Sequence, residues 1–207
     1  MFGLIKKDFL LLAKTSKTLI LVLLFMTLIQ LPSGETSILI GTITVLFGTL
    51  VITTFSYDDL AKWQSYELAL PIPRSQIVLS KYISACVFTL IGVLLSTCVT
   101  FIFYILDKIP SLQESLGAVG LTGCIVFLMV SVVLPFVFKY GAEKARLFMM
   151  LIFILPCFGI AFLYKSNIIT KFQWFFTTFV NLLPLITISF IIISYFISLK
   201  ILNSKEI

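Results

Sequence analysis

From Gln76 to Leu106 the chain runs 31 residues with a single charge, Lys81. As a helix that stretch is about 46 Å long, against a bilayer hydrocarbon core of about 30 Å. A continuous apolar run of this length is the signature of a membrane span rather than of a globular core. Its first turns, with Lys81, are expected to stand on the cytoplasmic side of the lipid. The rest of the sequence repeats the pattern. Apolar runs at Thr18–Leu31, Thr36–Phe55, Leu116–Phe138, Ala145–Tyr164 and Leu182–Leu199 add five spans to Gln76–Leu106. Only 12% of the residues are charged and 60% are hydrophobic, where soluble domains carry about 25% charged residues. The fold expected is an all-α polytopic membrane protein with six transmembrane helices, forming one transmembrane domain over 1–207.

Orientation follows from the basic residues. With the N-terminus inside, only Lys108, Lys165 and Lys171 of the fifteen fall outside, and the positive-inside rule places both termini in the cytoplasm. The net charge of +6 is thereby assigned to cytoplasmic loops rather than to a nucleic-acid surface. Residues 1–14 carry Phe2, Ile5, Phe9 and Leu12 on one helical face, with Lys6, Lys7 and Lys14 off it. This is the pattern of an interfacial helix. The stretch 165–183 admits two readings, a short outer helix dipping into the membrane or the start of a long last span, and Trp174 at a boundary suits either.

Several chemistries are excluded. There is no histidine, which removes Ser-His catalysis and histidine-ligated zinc. Cys86, Cys98, Cys124 and Cys157 fall inside apolar spans at spacings that fit no metal site. No G-x-x-x-x-G-K-[ST] occurs, so this chain has no phosphate-cradling loop of its own. No catalytic and no metal-binding residue is assigned. The span centres are read as free of charge, which argues against a proton- or ion-coupled carrier. The hydroxyls Thr42, Thr49 and Thr53 in span two and Thr89, Ser96 and Thr100 in span three form stripes. They suit helix packing or the lining of a substrate path. Pro135 and Pro156 are expected to kink their spans.

The longest polar stretch lies at 57–75. Ser56 is a candidate helix cap, with Asp58 and Asp59 in the first turn, and Pro71 and Pro73 as terminators. Leu60, Trp63, Tyr66 and Leu70 form one stripe, and Asp58, Lys62, Ser65 and Ala69 the other. The second face is small and polar, suited to a groove on a soluble protein.

Three segments, LIKKDFLL near the N-terminus, FSYDDLAKWQSYELALPIPRSQIVLSKY, and FKYGAEKAR at 138–146, together resemble the ABC-2 type permeases. The likeness is to the short permease subunits of phenol-soluble-modulin and bacteriocin exporters of Gram-positive bacteria. The resemblance implies a plasma-membrane permease of an ATP-driven exporter of amphipathic or antimicrobial peptides. It implies two permeases, identical or homologous, working with two separate ATPase subunits, which bind the ATP and Mg. It also implies that 58–70 is the coupling helix, with Asp58, Asp59, Lys62, Ser65, Tyr66 and Ala69 toward the ATPase. Residues 139–146, with Lys139, Gly141, Glu143, Lys144 and Arg146, would form the second cytoplasmic loop. The rival expectations are a secondary transporter or channel, and a membrane immunity protein that needs no ATPase.

Overall fold

The computed structural model describes residues 2–30, 32, 36–63, 66, 72–107, 111–165 and 173–204. Their side chains are included except at 2, 13–16, 153, 155–165, 173–177 and 179. The regular structure among these residues is helical: α1 Phe2–Gln30, α2 Thr36–Leu60, α3 Arg74–Ile105, α4 Leu112–Tyr140, α5 Ala142–Lys165 and α6 Gln173–Asn203. With no water in the bilayer to satisfy an exposed peptide group, a long apolar sequence must make its backbone bonds internally, and the helix does so.

Six spans were expected, and this is corrected. Among the described residues, four helices are long and apolar enough to cross a membrane: Thr36–Leu60, Arg74–Ile105, Leu112–Tyr140 and Val180–Asn203. A fifth is reached only by taking the two limbs of α1, Gly3–Leu12 and Lys17–Gln30, as one span bent by 55°. The reason lies in length. The second limb, expected as span one, has 14 residues, about 21 Å of helix, and cannot alone cross a core of about 30 Å. The expected fifth span, Ala145–Tyr164, belongs to α5, and most of its second half lies outside the residues whose side chains are described. The protein is a multi-pass membrane protein, with four or five spans among the described residues where hydropathy suggests six. At the other end of the chain, Gln173 onward is continuous with the last helix, so 173–183 is not a separate outer helix.

The core gathers α2, α3, α4 and α6, with α2 on α3 and α4 on α6 as the most extensive contacts. Small residues let the backbones approach, as membrane helices require. A Cβ on Gly92 would stand 2.7 Å from Phe47 Cβ and 3.4 Å from Thr44 Cα, and one on Gly48 would overlap Val126. At the same seam the Thr44 and Ser96 hydroxyls share a hydrogen bond of 3.0 Å. Leu21, Leu24, Phe25 and Leu28 of α1 and Leu185, Ile188, Ile192 and Phe196 of α6 are left bare. Apolar side chains on the outside of a bundle carry no penalty in a bilayer, where the lipid tails are as apolar as they are.

Candidate functional site

The charges that sequence scatters over three segments meet at one end of the bundle. Asp8 of α1, Asp58 of α2 and Lys81 of α3 are 1%, 4% and 3% exposed. The Lys81 ammonium donates to Asp8 Oδ1 at 2.8 Å and to Asp58 Oδ2 at 2.7 Å. Lys7 donates to the other oxygen of Asp58 at 2.6 Å. The Ser84 hydroxyl donates to Asp8 Oδ2 at 3.0 Å. Two cations and two anions cancel, and all four carboxylate oxygens are engaged, as a buried ionic cluster requires. Aromatic rings close it: Lys7 Nζ lies 4.5 Å from the Trp63 ring centre and Lys81 Nζ 4.8 Å from that of Phe55. Lys81, expected on the cytoplasmic side of the lipid, is thus buried among helices at that end of α3. The sequence reading also missed Asp8. The α1 face turned inward is Leu4–Asp8–Leu12, while Phe9 is 37% exposed. The available signal was a lone acid at four-residue spacing from two leucines.

The neighbouring carboxylate works in another direction. Asp59 Oδ2 accepts the backbone N–H of Ala142 at 2.9 Å, so it caps α5, whose first N–H groups have no partner within the helix. Between α4 and α5 stands only Gly141, at φ +83°, a backbone conformation that glycine adopts without steric cost. The stretch 139–146 is thus a one-residue hinge between two helices rather than an extended loop. Adjacent carboxylates on one helix end thereby hold two separate parts: Asp58 holds α1 and α3, and Asp59 holds the α4–α5 corner. A cleft of about 380 Å³ opens there, with Ser56, Asp59 and Leu60 on one side and Tyr140, Lys144 and Arg146 on the other.

The expected cap at Ser56 is also corrected. The helix α2 continues unbroken to Leu60, and the Ser56 hydroxyl donates to the Ile52 carbonyl at 3.1 Å. The break comes at Lys62, at φ 50°. Beyond it Tyr66, 71% exposed, stacks on Trp63 with ring centres 6.3 Å apart. Ser65 and Ala69 lie outside the described residues. Lys139, Glu143, Lys144 and Arg146 are exposed. Pro73 precedes α3, and Arg74 donates to the Leu202 and Asn203 carbonyls at 3.3 and 2.9 Å, tying off the C-terminal end of α6. The beginning of α1, the end of α2 with Asp58 and Asp59, the start of α3 at Arg74, the Gly141 hinge and the end of α6 therefore share one end of the molecule.

Of the hydroxyl stripes, Thr89, Ser96 and Thr100 are fully buried where α3 meets its neighbours. On α2 the fully buried threonines are Thr44 and Thr54. Thr42, Thr49 and Thr53 are partly exposed, and Thr42 and Thr49 bond the carbonyls of Ile38 and Leu46 in their own helix. Pro135 has a consequence beyond a kink. It lacks the N–H that would bond the Ser131 carbonyl one turn back, and the Ser194 hydroxyl of α6 donates to that carbonyl instead. Tyr82 of α3 bonds the hydroxyls of Ser194 and Ser198 at 2.5 and 2.8 Å, so a hydrogen-bonded seam links α3, α6 and α4.

Compared with known proteins, the chain matches a family profile described as an ABC-2 family transporter protein over residues 3–203. No curated protein and no solved structure matches it.

Proposed function

The chain belongs to the ABC-2 transporter family, and from that premise we propose that it is the permease subunit of an ATP-driven exporter, powered by a separate ATPase subunit. The observation that supports this reading best is the junction at Asp58 and Asp59. A force on 57–75 reaches α1 and α3 through one carboxylate and the α4–α5 corner through the next. A permease moved by a docked motor needs such a junction; a passive scaffold does not. In this reading the docking face carries Asp59, Lys62, Ser65, Tyr66 and Ala69, and Asp58 anchors it from behind. Lys139, Glu143, Lys144 and Arg146 flank it across the Gly141 hinge. The charged end faces the cytoplasm of a bacterium, as its basic residues favour. Two permease copies or homologues pair with two ATPases, which hold the ATP and Mg. The cargo is an amphipathic peptide, passed along α2 and α3 past Thr42, Thr49, Thr53, Thr89, Ser96 and Thr100 as these helices separate.

The test is co-purification with the cognate ATPase after Ser65→Arg or Ala69→Arg. A charge buried without a partner in an interface costs on the order of several kcal/mol, so complex yield should collapse while membrane expression holds. Ser111→Arg, at the start of α4, should have no effect on the complex. If both arginine variants assemble like wild type, residues 57–75 are not the docking face.

A further inference from the structure

Between the last turns of α4 and the facing turns of α6 lies a lateral groove of about 400 Å³. Its walls are Pro135, Phe136, Ile193 and Ile197, among others. It spans residues 131–140 of α4, about 15 Å of helix, or half of a hydrocarbon core of about 30 Å. The groove is therefore one leaflet tall. Its floor offers little to a polar ligand, because the Ser131 carbonyl and the Ser194 hydroxyl are spent on each other. Recognition of a head group falls to the mouth. Lys139 lines the groove there, its Nζ 5.1 Å from the Tyr140 ring centre. Lys200 is exposed on the same turn of α6 as Ile197 and Ile201. Among the described residues neither lysine pairs with a carboxylate. Of the other basic residues at this end, Lys62, Lys144 and Arg146 are exposed as well, and three are consumed. Lys7 and Lys81 are consumed by Asp8 and Asp58, and Arg74 by the end of α6.

We propose that this groove is a binding site for one anionic phospholipid, an acyl chain lying along α4 and α6 and the phosphate held by Lys139 and Lys200. An apolar slot of one-leaflet height with unpaired ammonium groups at its head-group end complements that molecule. Basic pockets between membrane helices bind anionic head groups by the same electrostatics. The inference does not depend on the exporter reading.

The experiment uses the full chain in vesicles containing equal amounts of phosphatidylglycerol and phosphatidylcholine, each in turn carrying a photoreactive acyl chain. Cross-links are mapped to peptides by mass spectrometry. Labelling near Phe136 and Ile193 should favour phosphatidylglycerol by about five-fold per lysine. Lys139→Gln with Lys200→Gln should abolish the preference, and Lys139→Arg should keep it. Ile193→Trp, which fills the groove, should remove labelling of both lipids there while size-exclusion behaviour stays that of wild type. Millimolar glycerol phosphate should leave the labelling unchanged, since the chain as well as the phosphate is bound. Equal labelling by the two lipids in wild type would mean ordinary annular contact and overturn the proposal. So would a preference that survives loss of both lysines, competition by glycerol phosphate, or displacement of the lipid by an amphipathic helical peptide.

Discussion

Replacing Lys81 by Met is the most informative single change, because it removes a cation whose two carboxylate partners are buried. Asp58 would keep Lys7 at 2.6 Å, but Asp8 would be left with the Ser84 hydroxyl and with Lys7 at 3.8 Å. Breaking a buried ion pair from one side costs about 3–5 kcal/mol, since the remaining charge has lost its compensation. At roughly 2–4 °C per kcal/mol for a chain of this size, the melting temperature in detergent should fall by roughly 6–20 °C. Lys7→Met should cost less, because Asp58 retains Lys81 at 2.7 Å and the Lys7 side chain is itself 22% exposed. The decisive comparison is the triple variant Asp8→Asn, Asp58→Asn, Lys81→Met. It removes the buried charges together and should recover most of the loss, as uncharged replacements of buried ion pairs commonly do. The assay is fluorescence-detected thermal unfolding of the purified protein. A Lys81→Met protein that melts with wild type, or a triple variant no more stable than the single one, would refute the account of the cluster.

Other outcomes follow from the same geometry. Ser194→Ala strips the hydroxyl bonded to the Ser131 carbonyl and should cost about 1–3 kcal/mol; in a Pro135→Ala background, where residue 135 regains its N–H, thermal unfolding should show a smaller loss. Asp59→Ala removes the cap of α5 and should cost about 0.5–2 kcal/mol, with faster amide exchange in the first turn of α5 as the local readout. Gly92→Leu should lower the melting temperature because Phe47 and Thr44 occupy the space, while Gly41→Ala, with nothing within 4 Å of the added carbon, should not.

What the sequence made legible was the kind of protein and the places where polarity concentrates. What it hid was depth. Span counting by hydropathy treats the second limb of α1 as a crossing because composition is local, whereas crossing depends on continuous length and on bends such as the 55° break in α1. The burial order along α2 is hidden for a related reason. Its residues are apolar all round, so no amphipathic asymmetry marks which threonines turn inward; Thr44 and Thr54 do, set by Gly48 and the approach of α3 and α4. The burial of Lys81 is hidden because its partners lie 73 and 23 residues away. Pairing at that separation appears only once α1, α2 and α3 are packed. Pro135 was visible as a helix breaker, but its need for a donor from α6 was not.

The central claim is that this chain is moved by ATP hydrolysed on another subunit. Its most direct measurement is ATP-dependent accumulation of a labelled amphipathic peptide in inside-out vesicles, with and without the cognate ATPase. The chain alone should give no uptake and no hydrolysis, since it lacks a phosphate-cradling loop. Both subunits together should give uptake that requires ATP and is lost with Ala69→Arg. Uptake by the chain alone, driven by an ion gradient and indifferent to ATP, would contradict the account.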